Sequence, residues 1–129
     1  MGLVYVTAQL GPDADHLHHV RMMVDTGAFH SLISPQLSDE FGITPSMTGP
    51  IIMADGRRAE MSYGLAYVKL MERDAVIQVG IMSCPLPLLG VTTLEALGLK
   101  LNPVSRTLEY DSPLAAPPML SFFQEHPNA

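Results

Sequence analysis

Apolar and polar positions alternate loosely from Gly2 to Leu10, in a run rich in Val, Tyr and Thr, and a dense cluster of turn formers, Gly11-Pro12-Asp13-Ala14-Asp15, follows. That pattern predicts a strand and a turn. Apolar residues resume from Leu17 to Val24 as a second strand, paired with the first as a hairpin. This run leads directly into Asp25-Thr26-Gly27-Ala28, and Phe29 to Ile33 reads as a third, short strand. Ser34 and Pro35 then supply an N-cap and a proline at the first helical position, so Gln36 to Phe41 is expected as a short helix closed by Gly42.

Between Thr48 and Leu70 two β-rich runs flank Asp55-Gly56, a dipeptide that favours a two-residue hairpin turn, and a long hairpin is expected there. Glu72-Arg73-Asp74 reads as the next turn and Ala75 to Met82 as the strand after it. Beyond Cys84-Pro85-Leu86-Pro87 comes Leu88-Leu89-Gly90. Thr92 and Glu95 are spaced as a capping box, predicting a helix through Leu97 that Gly98 stops. Leu99 to Leu101 and Thr107 to Tyr110 are expected as two last strands around an Asn102-Pro103 turn. The period then disappears. Pro113, Pro117, Pro118 and Pro127 mark 111–129 as a Pro-rich C-terminal tail to a domain over 1–110, with Leu120, Phe122 and Phe123 available to dock on a surface.

Composition narrows the classes. The chain has 129 residues, 47% of them apolar and 16% charged, which suits one domain with one core and excludes a large barrel or a two-domain enzyme. Seven Lys and Arg against 13 Asp and Glu give a net charge of −6, which argues against nucleic acid or an anionic membrane as partner, since either would want a basic face. The single cysteine, Cys84, excludes an intramolecular disulfide and a thiolate zinc site, and a reducing cytoplasmic setting is expected. The start of the chain lacks a basic n-region, and Val6 stands where a myristoylation motif on Gly2 needs Ser or Thr. No apolar run approaches the roughly 18 residues of a membrane span.

The sharpest chemical feature is Asp25-Thr26-Gly27-Ala28 at the end of an apolar run. An ionisable residue at the end of a buried strand is expensive unless it is hydrogen-bonded or catalytic. Thr26 can donate to and accept from a neighbouring backbone, and Gly27 permits close approach of another chain or a ligand. A strand-ending turn is the plainer reading of the tripeptide alone. Its combination with the Asp55-Gly56 hairpin and with Leu88-Leu89-Gly90 ahead of a helix is more specific.

That order resembles the retropepsin-like, or retroviral-type, aspartic proteases over about residues 1–110, and in particular the small single-domain members found in prokaryotes. The resemblance implies an all-β fold, a closed β-barrel (the acid protease fold) with one or two short helices, assembled as a homodimer. It implies that Asp25 is catalytic, that Thr26 locks the catalytic loops together across the dimer, and that Gly27 and Ala28 support the loop next to substrate. The hairpin tip, Met53, Ala54, Asp55, Gly56 and Arg57, would be a flap closing over bound peptide. Leu88, Leu89 and Gly90 would thread beside the catalytic loop, with Leu86 lining a side-chain pocket. An aspartic endopeptidase follows, with water activated between two Asp25 carboxylates, a peptide or protein substrate, and no cofactor or metal. Two departures stand out: Phe29 and Val91 occupy the places where many viral members carry an acid–arginine pair, and the flap is longer and less glycine-rich.

Other features fit plainer roles. His16, His18 and His19 lie close together, and a metal-binding β-domain would need them to converge, but without a neighbouring Cys or carboxylate pattern a solvated hairpin end explains them better. His30 falls beside the catalytic loop as a packing or pocket residue. Cys84, between Ser83 and Pro85, has no activating pattern. Arg57-Arg58 is too small a basic spot for nucleic acid. The alternative from another functional class is a dimeric peptide-binding or scaffolding module with the same fold and no cleavage. Retention of Asp25, Thr26 and Gly27 favours the enzyme.

Overall fold

In the computed structural model, which describes residues 3–111, the opening alternation forms an antiparallel pair. Strand β1 (Tyr5–Gly11) lies against β2 (His18–Val24), with Tyr5 opposite Met23 and Leu10 opposite His18. Along both strands alternate residues are buried, among them Ala8, Leu10, Val20, Met22 and Val24, as the period of two requires when one face meets a core. A short β3 (Ser31–Ile33) leads into helix α1 (Pro35–Phe41). The Ser34 hydroxyl caps this helix by accepting from the Leu37 N–H, and Gly42 ends it in the left-handed conformation.

Strands β4 (Pro45–Ile52) and β5 (Arg58–Leu70) form the long hairpin, and β6 (Arg73–Ile81) pairs with β5 from Ser62 opposite Ile81 to Leu70 opposite Arg73. The turn between β5 and β6 therefore consists of Met71 and Glu72, both at positive φ; Arg73 and Asp74, expected in the turn, are strand residues. Two positive φ values match the right-handed twist of flanking strands, which explains how a turn without glycine forms here. A two-residue β7 (Leu88–Leu89), helix α2 (Val91–Leu97), and β8 (Leu99–Asn102) with β9 (Thr107–Tyr110) complete the described chain.

The fold is all-β with two short helices, but the expected closed barrel is not formed. The main sheet runs β1-β2-β7-β3-β6-β5-β4, and β8-β9 is a separate two-stranded sheet. It curls far enough for Gln9, Leu10 and Gly11 of β1 to pair with Lys69, Val68 and Tyr67 of β5. Most of that edge of β5 is already occupied by β4, which pairs only with β5 among the described residues and so keeps a free edge. A closed barrel has no such edge. Continuity is also thin at β7, where β2 is joined by two residue pairs and β3 by one; Pro85 and Pro87, which have no N–H to donate, lie just before it.

Inside the curl, Leu10, Met22, Ile33, Val68, Val79 and Leu89 are fully buried, and Leu94 and Leu97 of α2 pack on the same core. Arg73 fastens the second sheet to the first. Its Nη1 donates to the Leu97 carbonyl at 3.0 Å and the Gly98 carbonyl at 3.2 Å, and its guanidinium lies 4.4 Å from the centre of the Tyr110 ring. The Tyr110 hydroxyl in turn donates to the Met71 carbonyl at 2.8 Å. The tail expected over 111–129 lies, beyond Asp111, outside the described residues. For the described part, Arg73→Ala removes a donor from the Leu97 carbonyl at the end of α2 and the contact with the Tyr110 ring, while the Gly98 carbonyl keeps the Asp111 N–H at 2.9 Å. Urea unfolding monitored by circular dichroism should show a loss of roughly 2–4 kcal/mol.

Candidate active site

The site is built where β2 runs out. The last residues of β2 pair in parallel with β7, Met23 beside Leu88 and Val24 beside Leu89, and the next N–H, that of Asp25, donates to the Leu89 carbonyl at 3.0 Å. The chain then turns sharply: the Ala28 N–H donates to the Asp25 carbonyl at 3.1 Å. The Gly27 N–H donates to Asp25 Oδ1 at 2.9 Å, which orients the carboxylate from within its own loop. Asp25 and Ala28 are half-buried, whereas Thr26 and Gly27 are exposed.

The far side of the loop is held by the start of α2. Val91 donates its N–H to the Ala28 carbonyl at 2.8 Å, and Thr92 bonds the Phe29 carbonyl through both its N–H, at 3.1 Å, and its hydroxyl, at 2.7 Å. The expected capping box is therefore absent. Helix α2 begins at Val91 with Gly90 as its N-cap and no side-chain cap bond, because the Thr92 hydroxyl is engaged with Phe29. Gly90 is required by proximity: a Cβ there would stand 2.5 Å from the His30 carbonyl carbon and oxygen and 2.9 Å from the Ala28 oxygen. Its N–H donates to the Ser31 hydroxyl at 3.0 Å, and Ser31 Oγ lies 2.6 Å from Thr93 Oγ1.

A cleft of about 510 Å³ opens beside the loop. Gly27, Ala28, Phe29, His30 and Leu32 line it on the loop side, and Pro50, Ile51, Ile52, Met61 and Tyr63 on the hairpin side. Its walls are mainly apolar. The His30 ring meets the Phe29 ring edge-on at 4.8 Å and the Tyr63 ring at 5.2 Å, so this histidine joins the Asp25 loop to the base of the hairpin. Phe29 is 66% exposed, so the position where many viral members carry a charge presents an aromatic face to the cleft.

The hairpin tip differs from its expected form. Ile52 pairs with Arg58, Met53 donates to the Arg57 carbonyl at 2.7 Å, and Gly56 donates to the Met53 carbonyl at 2.8 Å, enclosing Ala54, Asp55 and Gly56. A two-residue turn centred on Asp55-Gly56 would place both at positive φ, but only Gly56 is, at 87°. Asp55 instead accepts from the Arg57 N–H at 3.0 Å and pairs with Arg57 Nε at 2.6 Å, and these bonds hold its carboxyl below the usual range.

The four residues expected around the substrate pocket divide. Leu89 is fully buried and meets the site through its carbonyl, Gly90 is buried against His30, and Leu86 and Leu88 are half-buried and do not line the cleft. The histidines of the first hairpin separate: His16 Nδ1 pairs with Asp13 at 2.7 Å, His18 stacks on Phe41 at 4.5 Å, and His19 Nε2 is 3.4 Å from Gln9. Among the described residues no three potential metal ligands converge. Sequence reasoning passed over Ser31 and Thr93. The available signal was a hydroxyl residue next to Leu32-Ile33 and another next to Leu94, each in a stretch bound for the core.

Fold and loop together define the class, a retropepsin-like aspartic protease domain. Residues 16–96 match the model of the family described as "gag-polyprotein putative aspartyl protease", and the chain belongs to that family. No curated protein matches the sequence. Among solved structures the fold is similar to EIAV protease complexed with the inhibitor HBY-793, at 17% identity and a TM-score of 0.62, with 78% of this chain and 93% of that one covered. It is also similar to the retroviral protease-like domain of Ddi1 from Leishmania major, at 16% identity and a TM-score of 0.58, with 87% and 90% covered. At these identities the likeness is one of fold.

Two outcomes follow from the geometry. Gly90→Ala forces a methyl group into the His30 carbonyl, and chemical denaturation should record a loss of at least about 2 kcal/mol, because the obstacle is backbone. Cys84 is half-buried and burial raises its thiol above the usual range, so it is the neutral form at pH 7. Iodoacetamide should label it more slowly than a free cysteine, and Cys84→Ser should leave the site intact.

Proposed function

We propose that the protein is an aspartic endopeptidase that works as a homodimer, each copy contributing one Asp25. The observation that carries this reading is a single carboxylate, oriented by the Gly27 N–H at 2.9 Å, on a loop whose following residues, Gly27 to His30, line an apolar cleft bounded on its other side by a long hairpin. One carboxylate does not suffice for the chemistry. Two brought within about 3 Å cannot both ionise and so share one proton. The ionised member takes a proton from water as the water oxygen attacks the peptide carbonyl. The protonated member donates to the carbonyl oxygen as it gains charge, giving a tetrahedral diol. Return of a proton to the amide nitrogen and cleavage of the C–N bond then release an amine and a carboxylic acid.

The second carboxylate must come from a second copy, because Asp-Thr-Gly occurs once in the chain. Exposure of Thr26 beside Asp25 supports a two-fold axis at this loop, where its hydroxyl can bond to the partner loop. Peptides with bulky apolar side chains suit the walls of the cleft, and the hairpin would exclude water by closing over them. The one Asp-Thr-Gly loop fits the small single-domain prokaryotic members of the family, and a cytoplasmic setting fits Cys84 as the single cysteine in the sequence.

Asp25→Asn should abolish hydrolysis of a fluorogenic peptide without changing the melting temperature by more than a few degrees, and EDTA should have no effect. Specific activity should fall on dilution in step with dimer dissociation measured by sedimentation, with Thr26→Ala shifting both to higher concentration by about 1 kcal/mol per lost hydrogen bond. An active Asp25→Asn variant, or a fully active monomer, would overturn the proposal. A folded dimer that binds peptides without cutting them would establish the scaffolding alternative.

A further inference from the structure

The buried hydroxyl pair behind the catalytic loop does more than fill space. Ser31 and Thr93 are both fully buried, their oxygens are 2.6 Å apart, and 62 positions of chain separate them. Ser31 immediately follows the loop that carries Asp25, whereas Thr93 lies in the first turn of α2, and the N–H of Gly90 donates to Ser31 Oγ at 3.0 Å. An apolar pair of similar shape could fill the same space, but it would leave the buried Gly90 N–H without its acceptor. What the polar pair adds is direction. A hydrogen bond fixes separation and angle, whereas apolar packing at this joint would let β3 slide against α2.

We infer that Ser31 and Thr93 are positioning residues, a buried clasp that fixes the distance between the catalytic loop and the Leu88–Gly90 segment and so sets where the Asp25 carboxylate stands. The clasp reaches the carboxylate at both ends of the loop. Thr93 shares its helical turn with Val91 and Thr92, which hold the carbonyls of Ala28 and Phe29. Ser31 holds Gly90, whose neighbour Leu89 accepts the Asp25 N–H at 3.0 Å. If the clasp opens, both anchors of residues 25–29 shift together, and a carboxylate that must meet its partner within a fraction of an ångström no longer does. The geometry stands without the protease reading; the catalytic consequence rests on it.

The test uses the full chain and three variants, Thr93→Val, Ser31→Ala and Thr93→Ser. The first removes one hydroxyl at nearly constant shape, the second removes the other, and the third restores an oxygen at the Thr93 position. On a fluorogenic peptide with two phenylalanines flanking the cleaved bond, Thr93→Val and Ser31→Ala should lower kcat by about 10- to 100-fold with KM within about twofold, as expected for misplacement of a reacting group. Thr93→Ser should recover most of kcat. Amide exchange should accelerate at Asp25 and Val91 in the first two variants while remaining slow in β1 and β6.

Unchanged exchange at Asp25 and Val91 with unchanged kcat would overturn the inference. So would exchange that rises equally throughout the domain, or failure of Thr93→Ser to restore kcat, since either would reduce the pair to core packing. Should Thr93→Val not accumulate as folded protein, Ser31→Ala carries the same measurements. If the wild-type chain cleaves no peptide, the protease reading fails, and exchange at Asp25 and Val91 still decides whether the clasp exists.

Discussion

The structure turns on one close approach, the passage of Gly90 against the backbone of Ala28 and His30. Strand β2 stays on β7 through the Asp25 N–H, the Ala28 N–H then closes a turn on the Asp25 carbonyl, and the return path past Phe29 is held by the first turn of α2. No side chain fits between the two segments; a Cβ on Gly90 would stand 2.5 Å from the His30 carbonyl. Much else follows from that contact. Asp25 is confined to a tight turn where the Gly27 N–H can reach its carboxylate, Thr26 is turned outward, and Phe29 and His30 are left facing the cleft. The burial of Leu89 is the same constraint seen from the core, since the residue whose carbonyl fixes Asp25 cannot itself move.

Much of this was legible in the sequence where local chemistry decides the outcome. Ser34, Pro35 and Gly42 define α1 because capping, a fixed φ and a left-handed terminus are properties of single residues. Asp25-Thr26-Gly27 and Leu88-Leu89-Gly90 are likewise short motifs, and the fold brings them together. The departures come where a distant partner overrides the local rule. Thr92 and Glu95 are spaced as a capping box, but the Phe29 carbonyl captures the Thr92 hydroxyl from another part of the chain. Asp55-Gly56 invites a two-residue turn, but Arg57 draws the Asp55 carboxylate into an ion pair and only Gly56 adopts positive φ. Glu72-Arg73-Asp74 has the composition of a turn, but Arg73 is required in β6 to reach the end of α2.

The closed barrel shows a different limit. Alternation along a strand reveals which face is buried, but not which strand will occupy an edge. Strand β5 is 13 residues long, and one of its edges is divided between β4 and β1. That division depends on the lengths of three strands and the shift in register between Pro45 and Met47, none of which is encoded within a window of a few residues. Helix α2, β8 and β9 meet the main sheet through the core packing of Leu94, Leu97, Leu99 and Leu108, and Arg73 and Tyr110 add polar contacts between elements far apart in sequence.

The length of β5 also governs how the cleft can open. Ala66, Val68 and Leu70 are embedded in the core, while Arg58 lies at the hairpin tip on the same unbroken strand. The hairpin is therefore a cantilever: one end is clamped, and the free end bears its load at Asp55 to Arg57. A hinged lid swings on a loop at little elastic cost, but a cantilever stores energy as it bends and returns when released. Its stiffness is set near the clamp, where Gly64 passes so near the Thr44 carbonyl that a Cβ would stand 2.7 Å from that oxygen. The stiffness of the wall that the hairpin gives the cleft is thus set where the strand is packed, one residue from Tyr63, and not at the tip.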